Sequence, residues 1–277
     1  MPSDSLFAAL GAAPNLILNI LLPLYFLASI YVYVSLIRQI STRRSTSTEQ
    51  PKKTFGLPEA ILAAALAFLL LLNISAAVSN PSVQVNARNL LENLLFTVSL
   101  VLFVAGFLRL RGMDVSSLGG FFRISFLRAL STGTVLILAA YPLISLTDVI
   151  TQRLFGSGSS KQNIVELFSG SHTIEQRIMI IVFAVAIAPV VEEFLFRFFL
   201  YGVLKRYFGR FLGITLNALL FAAAHTHLPS FAPLFVLGAC FTIAYEWSGS
   251  ILVCMTMHSL FNSLSLTVLA FPETFPQ

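Results

Sequence analysis

The sequence predicts an all-α fold: a polytopic bundle of about eight transmembrane helices with an active-site cavity inside the membrane. Two observations predict the bundle. Of the 277 residues 57% are hydrophobic and only 10% are charged, whereas soluble domains carry about 25% charged residues. The apolar residues also fall into runs of about 20, the length that crosses a bilayer as a helix. A third observation, three charged residues inside one apolar run, predicts the cavity. The candidate spans are residues 15–37, 57–78, 90–110, 125–147, 176–204, 211–226, 231–247 and 250–270.

Lysine and arginine indicate the orientation of these spans. They collect in the loops after the first, third and fifth spans, including the polar linker 38–53, and the loops on the other side hold few of them. By the positive-inside rule the linker 38–53 is cytoplasmic. The net charge of +5 is spread over short loops, which argues against a nucleic-acid partner. Short loops and the lack of an organellar signal favour a multi-pass protein of a prokaryotic plasma membrane, surrounded by lipid.

The fifth span contains the run EEFLFR, residues 192–197. An ionised side chain at mid-membrane costs about 2.5–3.5 kcal/mol on insertion scales, so three within six residues need partners or a function. Glu193 and Arg197 are four residues apart, on one helix face, and can form an ion pair. Glu192 is rotated by about 100° from Glu193 and lacks that partner. Intramembrane ionisable residues indicate function by default.

Two other features shape the same helix. Pro189 lies three residues before Glu192 and removes one backbone hydrogen bond. We expect a kink there, with a free carbonyl close to the acidic pair. Thr173 and Gln176 have the spacing of a capping box that begins the helix.

Two later spans offer partners for Glu192. The run FAAAH ends the sixth span with His225, and HSLFN places His258 and Asn262 at i, i+4 on one face of the eighth span. Counted at about 1.5 Å per residue from the cytoplasmic helix ends, the depths of Glu192, His225, His258 and Asn262 differ by no more than about 10 Å. The sequence therefore predicts one cavity that contains all four.

These residue types suit hydrolysis of a peptide bond. Glu192 and His225 can hold and deprotonate a water molecule. His258 and Asn262 can donate hydrogen bonds to the tetrahedral oxyanion, while Glu193 and Arg197 orient the helix. This glutamate-type mechanism needs no cofactor. Zinc bound by Glu192, His225 and His258 is the alternative, because two histidines and one glutamate form a catalytic zinc set. The HExxH motif is absent, and both mechanisms require the same residues.

The three runs resemble the EExxxR, FxxxH and HxxxN motifs of the CAAX prenyl protease type II family, also called CPBP or Abi. The resemblance implies that Glu192 and His225 activate water, that His258 and Asn262 stabilise the oxyanion, and that Glu193 and Arg197 support them. It also implies a peptide or lipidated protein substrate, with prenylation possible. It covers about residues 173–270, so residues 173–277 are interpreted as the catalytic core and 1–172 as N-terminal transmembrane helices.

Two other functions stay open. The first is a non-catalytic immunity or scaffold protein that has kept the motifs. The second is a transporter or proton relay, which the charges in only the C-terminal half make less favoured.

Several other residues are interpreted as structural. Cysteines in apolar runs without a CxxC spacing predict core packing rather than a disulfide or a metal site. Methionines and a phenylalanine around the HxxxN run are interpreted as packing rather than as an acyl or prenyl groove. The residues are Cys240, Cys254, Met255, Met257 and Phe261, together with the outlying histidines His172 and His227.

Overall fold

A computed structural model describes residues 3–43, 54–79, 87–155, 168, 170, 171 and 173–271. This part of the chain is all-α, as predicted, and it contains nine helices and no strand. Their bounds are α1 Ser3–Thr42, α2 Leu57–Ser79, α3 Ala87–Leu110, α4 Val115–Leu118, α5 Phe126–Phe155, α6 Ile174–Phe208, α7 Arg210–Ala224, α8 Phe231–Ser248 and α9 Ile251–Ala270.

Seven of these helices are long and apolar enough to cross a membrane: α1, α2, α3, α5, α6, α8 and α9. The protein is a multi-pass integral membrane protein, as predicted. The predicted span at 211–226 is wrong as a full crossing, because α7 has 15 residues. Its length is about 22 Å, less than the roughly 30 Å of a bilayer core. The fourth span is longer than predicted, since α5 continues past residue 147 to Phe155.

One hydrophobic core joins the two halves of the chain. It runs from Tyr33 in α1, through α5, to Met255 and Met257 in α9, and Phe261 packs against it. These contacts support the packing interpretation for the two methionines and Phe261. Both cysteines are buried free thiols, as predicted. The charged segment of α6 is packed against α8 and α9, and the short helix α7 is packed against α8.

Proline opens α5 at a place where α1 contacts it. Pro142 has no backbone N–H, so the carbonyl of Leu138, four residues earlier, lacks its helical donor. The hydroxyl of Tyr25 donates to that carbonyl at 2.5 Å. Tyr33 donates to the neighbouring carbonyl of Leu136 at 2.9 Å. Two tyrosines therefore attach α1 to α5 by hydrogen bonds that the bilayer interior cannot replace.

Helix α6 contains two π-helical segments, Phe183–Ile187 and Phe194–Leu200, between α-helical turns. Its N-cap is Thr173, whose side chain accepts a hydrogen bond from the backbone N–H of Gln176 at 3.2 Å, as the predicted cap requires. Each π turn inserts residues into the regular helix and changes the direction of the side chains around it. The run from Ala188 to Glu193, which includes Pro189, lies between the two segments.

Candidate active site

The carbonyl that Pro189 was predicted to free is the carbonyl of Ala184. The N–H of Ala188 donates to Phe183 in the π-helical register, and in that register Ala184 would be paired with residue 189. Proline has no hydrogen to donate there. The side-chain amide of Asn262 donates to Ala184 instead, at 2.8 Å. Asn262 thus connects α9 to the opened turn of α6.

This pairing predicts a dependence of Asn262 on Pro189. Asn262→Ala leaves the Ala184 carbonyl without a donor, and we expect it to lower the free energy of unfolding by about 1–3 kcal/mol. In a Pro189→Ala background the new N–H can satisfy that carbonyl, so the same change should cost less. Unfolding in mixed detergent micelles, followed by circular dichroism, measures this double-mutant cycle. Ser265→Ala, on an exposed position of α9, is the control. Equal losses in the two backgrounds would contradict the pairing.

Glu193 and Arg197 form the predicted i, i+4 ion pair. Arg197 Nη1 lies 2.9 Å from Glu193 Oε1, and neither side chain is exposed. Arg197 Nη2 also contacts the carbonyl of Gly238 in α8 at 3.5 Å. The guanidinium lies over the ring of Phe221, 4.1 Å from its centroid, an arrangement that favours a desolvated cation. Buried charges need such partners on every side.

His258 contacts the same carboxylate from α9. Its Nδ1 lies 2.8 Å from Glu193 Oε1, and because a carboxylate accepts, Nδ1 carries the hydrogen. Glu193 therefore bridges Arg197 and His258. The other ring nitrogen, Nε2, lies 3.9 Å from Glu192 Oε2. His258 is held by one glutamate and presents its free nitrogen toward the other.

Glu192 has surroundings very different from those of its neighbour. Its side chain is 30% exposed, whereas that of Glu193 is fully buried. Its Oε2 makes no hydrogen bond with any residue that the structure describes, and the same is true of Oε2 of Glu193, so the exposure is what distinguishes the two side chains. Of the two adjacent carboxylates, Glu192 is the one available to water or substrate.

His225 caps the C-terminal end of α7. Its Nδ1 lies 2.8 Å from the carbonyl of Phe221, which can only accept, so Nε2 of the neutral ring carries the lone pair. Glu192 and His258 both interact electrostatically with this ring. Because α7 is only about 22 Å long, we expect its end to lie within the depth of the membrane rather than at its far surface.

Sequence reasoning gave no role to Phe221, the first residue of the FxxxH run. Its ring is buried and lies 4.8 Å from the ring of His225 and 6.0 Å from that of His258, in addition to its contact with Arg197. Phe221 therefore holds three of the predicted site residues in place. The motif contained this signal, because its apolar position has a fixed spacing from His225.

The two histidines outside the motif runs were interpreted as structural. His227 is hydrogen-bonded to Ser230 at 2.6 Å, which fits its structural interpretation, and His172 lies outside the described residues.

Across residues 3–271, apart from the undescribed gaps, no three His, Cys, Asp or Glu side chains form a group that could bind a metal ion. The side chains of Glu192, His225 and His258 thus do not form a ready three-ligand site.

The segment that contains this site is similar in sequence to a known protein family. Residues 174–264 match the type II CAAX prenyl endopeptidase family, Rce1-like. The predicted resemblance is confirmed for this part of the chain. All six predicted site residues lie within the Rce1-like segment.

A curated relative supports the same resemblance. The membrane-embedded CAAX protease MroQ of Staphylococcus aureus (strain USA300) is 28% identical over 122 residues, which cover 42% of this chain and 48% of MroQ. The match therefore spans about half the length of that relative. No solved structure matches the chain significantly.

Proposed function

We propose that this protein is an intramembrane endopeptidase in which Glu192 and His225 activate the water that attacks a peptide carbonyl. The observation that carries the proposal is the contrast between two adjacent glutamates. Glu193 is fully buried and its Oε1 is paired with Arg197 and His258, whereas the Glu192 side chain is 30% exposed and its Oε2 lies 3.9 Å from His258 Nε2, beyond hydrogen-bond distance. A buried ion pair requires only Glu193 and Arg197, so a purely structural role does not account for Glu192. The family match of residues 174–264 supports this function.

The water would lie between Glu192 and the Nε2 atom of His225, with one hydrogen directed at each. Glu192 takes a proton as the water oxygen bonds to the carbonyl carbon. The carbonyl π electrons move to the oxygen and form the oxyanion. When the oxyanion collapses, the C–N bond breaks and Glu192 returns the proton to the leaving nitrogen. Proton transfer by a positioned group of this kind contributes about 10²–10⁴-fold to a rate.

The oxyanion needs hydrogen-bond donors, and Asn262 and His258 can both donate in one protonation state of the site. Asn262 uses one N–H for Ala184 and has a second N–H free to donate. His258 uses Nδ1 for Glu193, so its Nε2 donates only when the ring is doubly protonated. In that state the imidazolium and Arg197 balance the carboxylates of Glu192 and Glu193. These four side chains are therefore neutral as a whole when Glu192 is ionised and His258 is doubly protonated, so that His258 can donate from Nε2.

The substrate that fits this site is a peptide segment reached from the membrane. The partly exposed Glu192 belongs to a membrane-spanning helix, so a chain held in the bilayer by a lipid or an apolar segment would reach it most readily. A lipidated protein, either prenylated or acylated, is the proposed substrate class. The matching family consists of type II CAAX prenyl endopeptidases, and MroQ is a CAAX protease.

Cleavage of fluorescence-quenched peptides by the purified protein tests this function. One peptide carries a C-terminal prenyl group, one an acyl group and one no lipid, and each is measured with and without a zinc chelator. We expect cleavage of a lipidated peptide that the chelator does not change. Loss on chelation and recovery with zinc would establish the zinc alternative. No cleavage of any peptide would favour the non-catalytic immunity or scaffold function.

A further inference from the structure

A cavity lies at the basic end of the bundle, away from the candidate active site. Its volume is about 410 Å³, within the range of about 300–1,000 Å³ that holds small ligands. None of the six predicted site residues lines it. Its wall contains Phe55, Phe198, Tyr201 and Gly202, and its rim contains Lys205 and Arg206.

The apolar wall is built by a close approach to α6 of the segment that precedes α2. A side-chain carbon on Gly202 would lie 2.3 Å from the ring of Phe55, so only glycine lets the two elements come this close. The ring of Phe55 contacts Phe198 and Phe199 edge-on, with centroids 6.1 and 6.0 Å apart. Phe198 belongs to the π-helical segment that also contains Arg197.

The polar side of the cavity has a surplus of positive charge. Glu246 is buried and already paired with Lys205 at 2.7 Å and with Arg210 at 2.6 Å, and it accepts a hydrogen bond from Tyr201 at 2.9 Å. Arg206 is exposed and forms no ion pair with the part of the chain that the structure describes. The saturated carboxylate leaves Arg206 to bind an anion from outside the protein.

The location identifies the kind of anion. Lys205 and Arg206 lie in the last turn of α6, where this membrane-spanning helix ends at Phe208. Tyr245 lines the cavity and Trp247 follows it in the last turns of α8. Tyrosine and tryptophan are enriched at the level of the lipid headgroups. Basic pockets between transmembrane helices bind the headgroups of anionic lipids at this level.

We propose that this cavity binds an anionic phospholipid. Its phosphate contacts Arg206 and the exposed part of Lys205, and its first acyl carbons lie against Phe55 and Phe198. The apolar wall beside the cationic rim favours an amphiphile over a free phosphate. A bound lipid would contact the same π-helical segment as Arg197 without touching the candidate active site. The inference does not depend on the proposed protease activity.

Retention of lipid by the purified protein in detergent, measured by native mass spectrometry, tests the proposal. Phosphatidylglycerol and phosphatidylcholine with identical acyl chains are added separately, and glycerol 3-phosphate is added as a competitor. The wild type should retain phosphatidylglycerol in preference to phosphatidylcholine. Arg206→Gln should weaken that retention about fivefold, the effect of one basic group near an anionic lipid. Arg128→Gln, an exposed arginine that does not line the cavity, should leave it unchanged.

A second variant keeps the test independent of the charge. Thr54 is exposed at the mouth of the cavity, and Thr54→Trp should fill it and reduce retention while the protein stays folded. Equal retention of the two lipids, or equal retention by the wild type and both cavity variants, would overturn the proposal. Displacement by glycerol 3-phosphate would also overturn it, because the cavity would then recognise a soluble phosphate.

Discussion

Glu192→Ala is expected to lower the rate of peptide cleavage by about 10²–10⁴-fold, the contribution of a positioned general base. The protein should remain folded, because the Glu192 side chain is 30% exposed and its Oε2 makes no hydrogen bond to the described residues. Its removal leaves no buried charge without a partner. Initial rates with the lipidated peptide, together with the unfolding midpoint of each variant, measure the two effects separately.

Glu175→Ala is the matched control for this experiment. Glu175 lies in the first turn of the same helix and is exposed, so its loss removes a carboxylate without touching the candidate active site. We expect a wild-type rate for Glu175→Ala and a low rate for Glu192→Gln, which keeps the shape of the side chain but not its basicity. A Glu192→Gln variant as active as the wild type would show that Glu192 is not the base.

Arg197→Met is expected to have the largest effect on stability, a loss of about 3–5 kcal/mol in the free energy of unfolding. The variant leaves the fully buried Glu193 without its cation, and breaking one side of a buried ion pair costs about this much. It also removes the cation over the ring of Phe221. Unfolding in mixed detergent micelles gives the free energy.

The double variant Arg197→Met/Glu193→Gln separates lost charge balance from lost packing. With both charges removed, no unpaired carboxylate is buried, and much of the stability should return. Arg128→Met, on an exposed position, should change the free energy by no more than about 0.5 kcal/mol. If the double variant is as unstable as Arg197→Met alone, the cost is due to packing rather than to the isolated charge.

Much of the candidate site could be predicted from the sequence, because these features depend on residues that are close together in the chain. The four-residue spacing of Glu193 and Arg197 is enough to predict their ion pair, and the missing N–H of Pro189 is enough to predict a free carbonyl. The rotation between adjacent residues correctly predicted that Glu192 lacks the Arg197 partner of Glu193, although both glutamates face His258. The spans followed in the same way from runs of apolar residues, and the exception was a run too short to cross.

The contacts between helices were not predictable from the same patterns. The sequence placed His258 and Asn262 together as oxyanion donors, but it did not show that His258 binds Glu193 or that Asn262 binds Ala184. Ala184 lies in a π-helical segment of α6 and Glu193 directly precedes the other one, and such segments have no hydrophobic period distinct from that of an α-helix. The role of Phe221 was missed for a related reason: an apolar residue in a transmembrane helix usually indicates packing only.

The central claim is that Glu192 and His225 act on one water molecule, and a double-mutant cycle on the cleavage rate tests it most directly. The rates of Glu192→Ala, His225→Ala and the double variant are measured with one lipidated peptide under identical conditions. If the two residues act as a unit, the double variant should be about as slow as the slower single variant. Rate losses that multiply would show that the two residues act independently and would contradict the shared water.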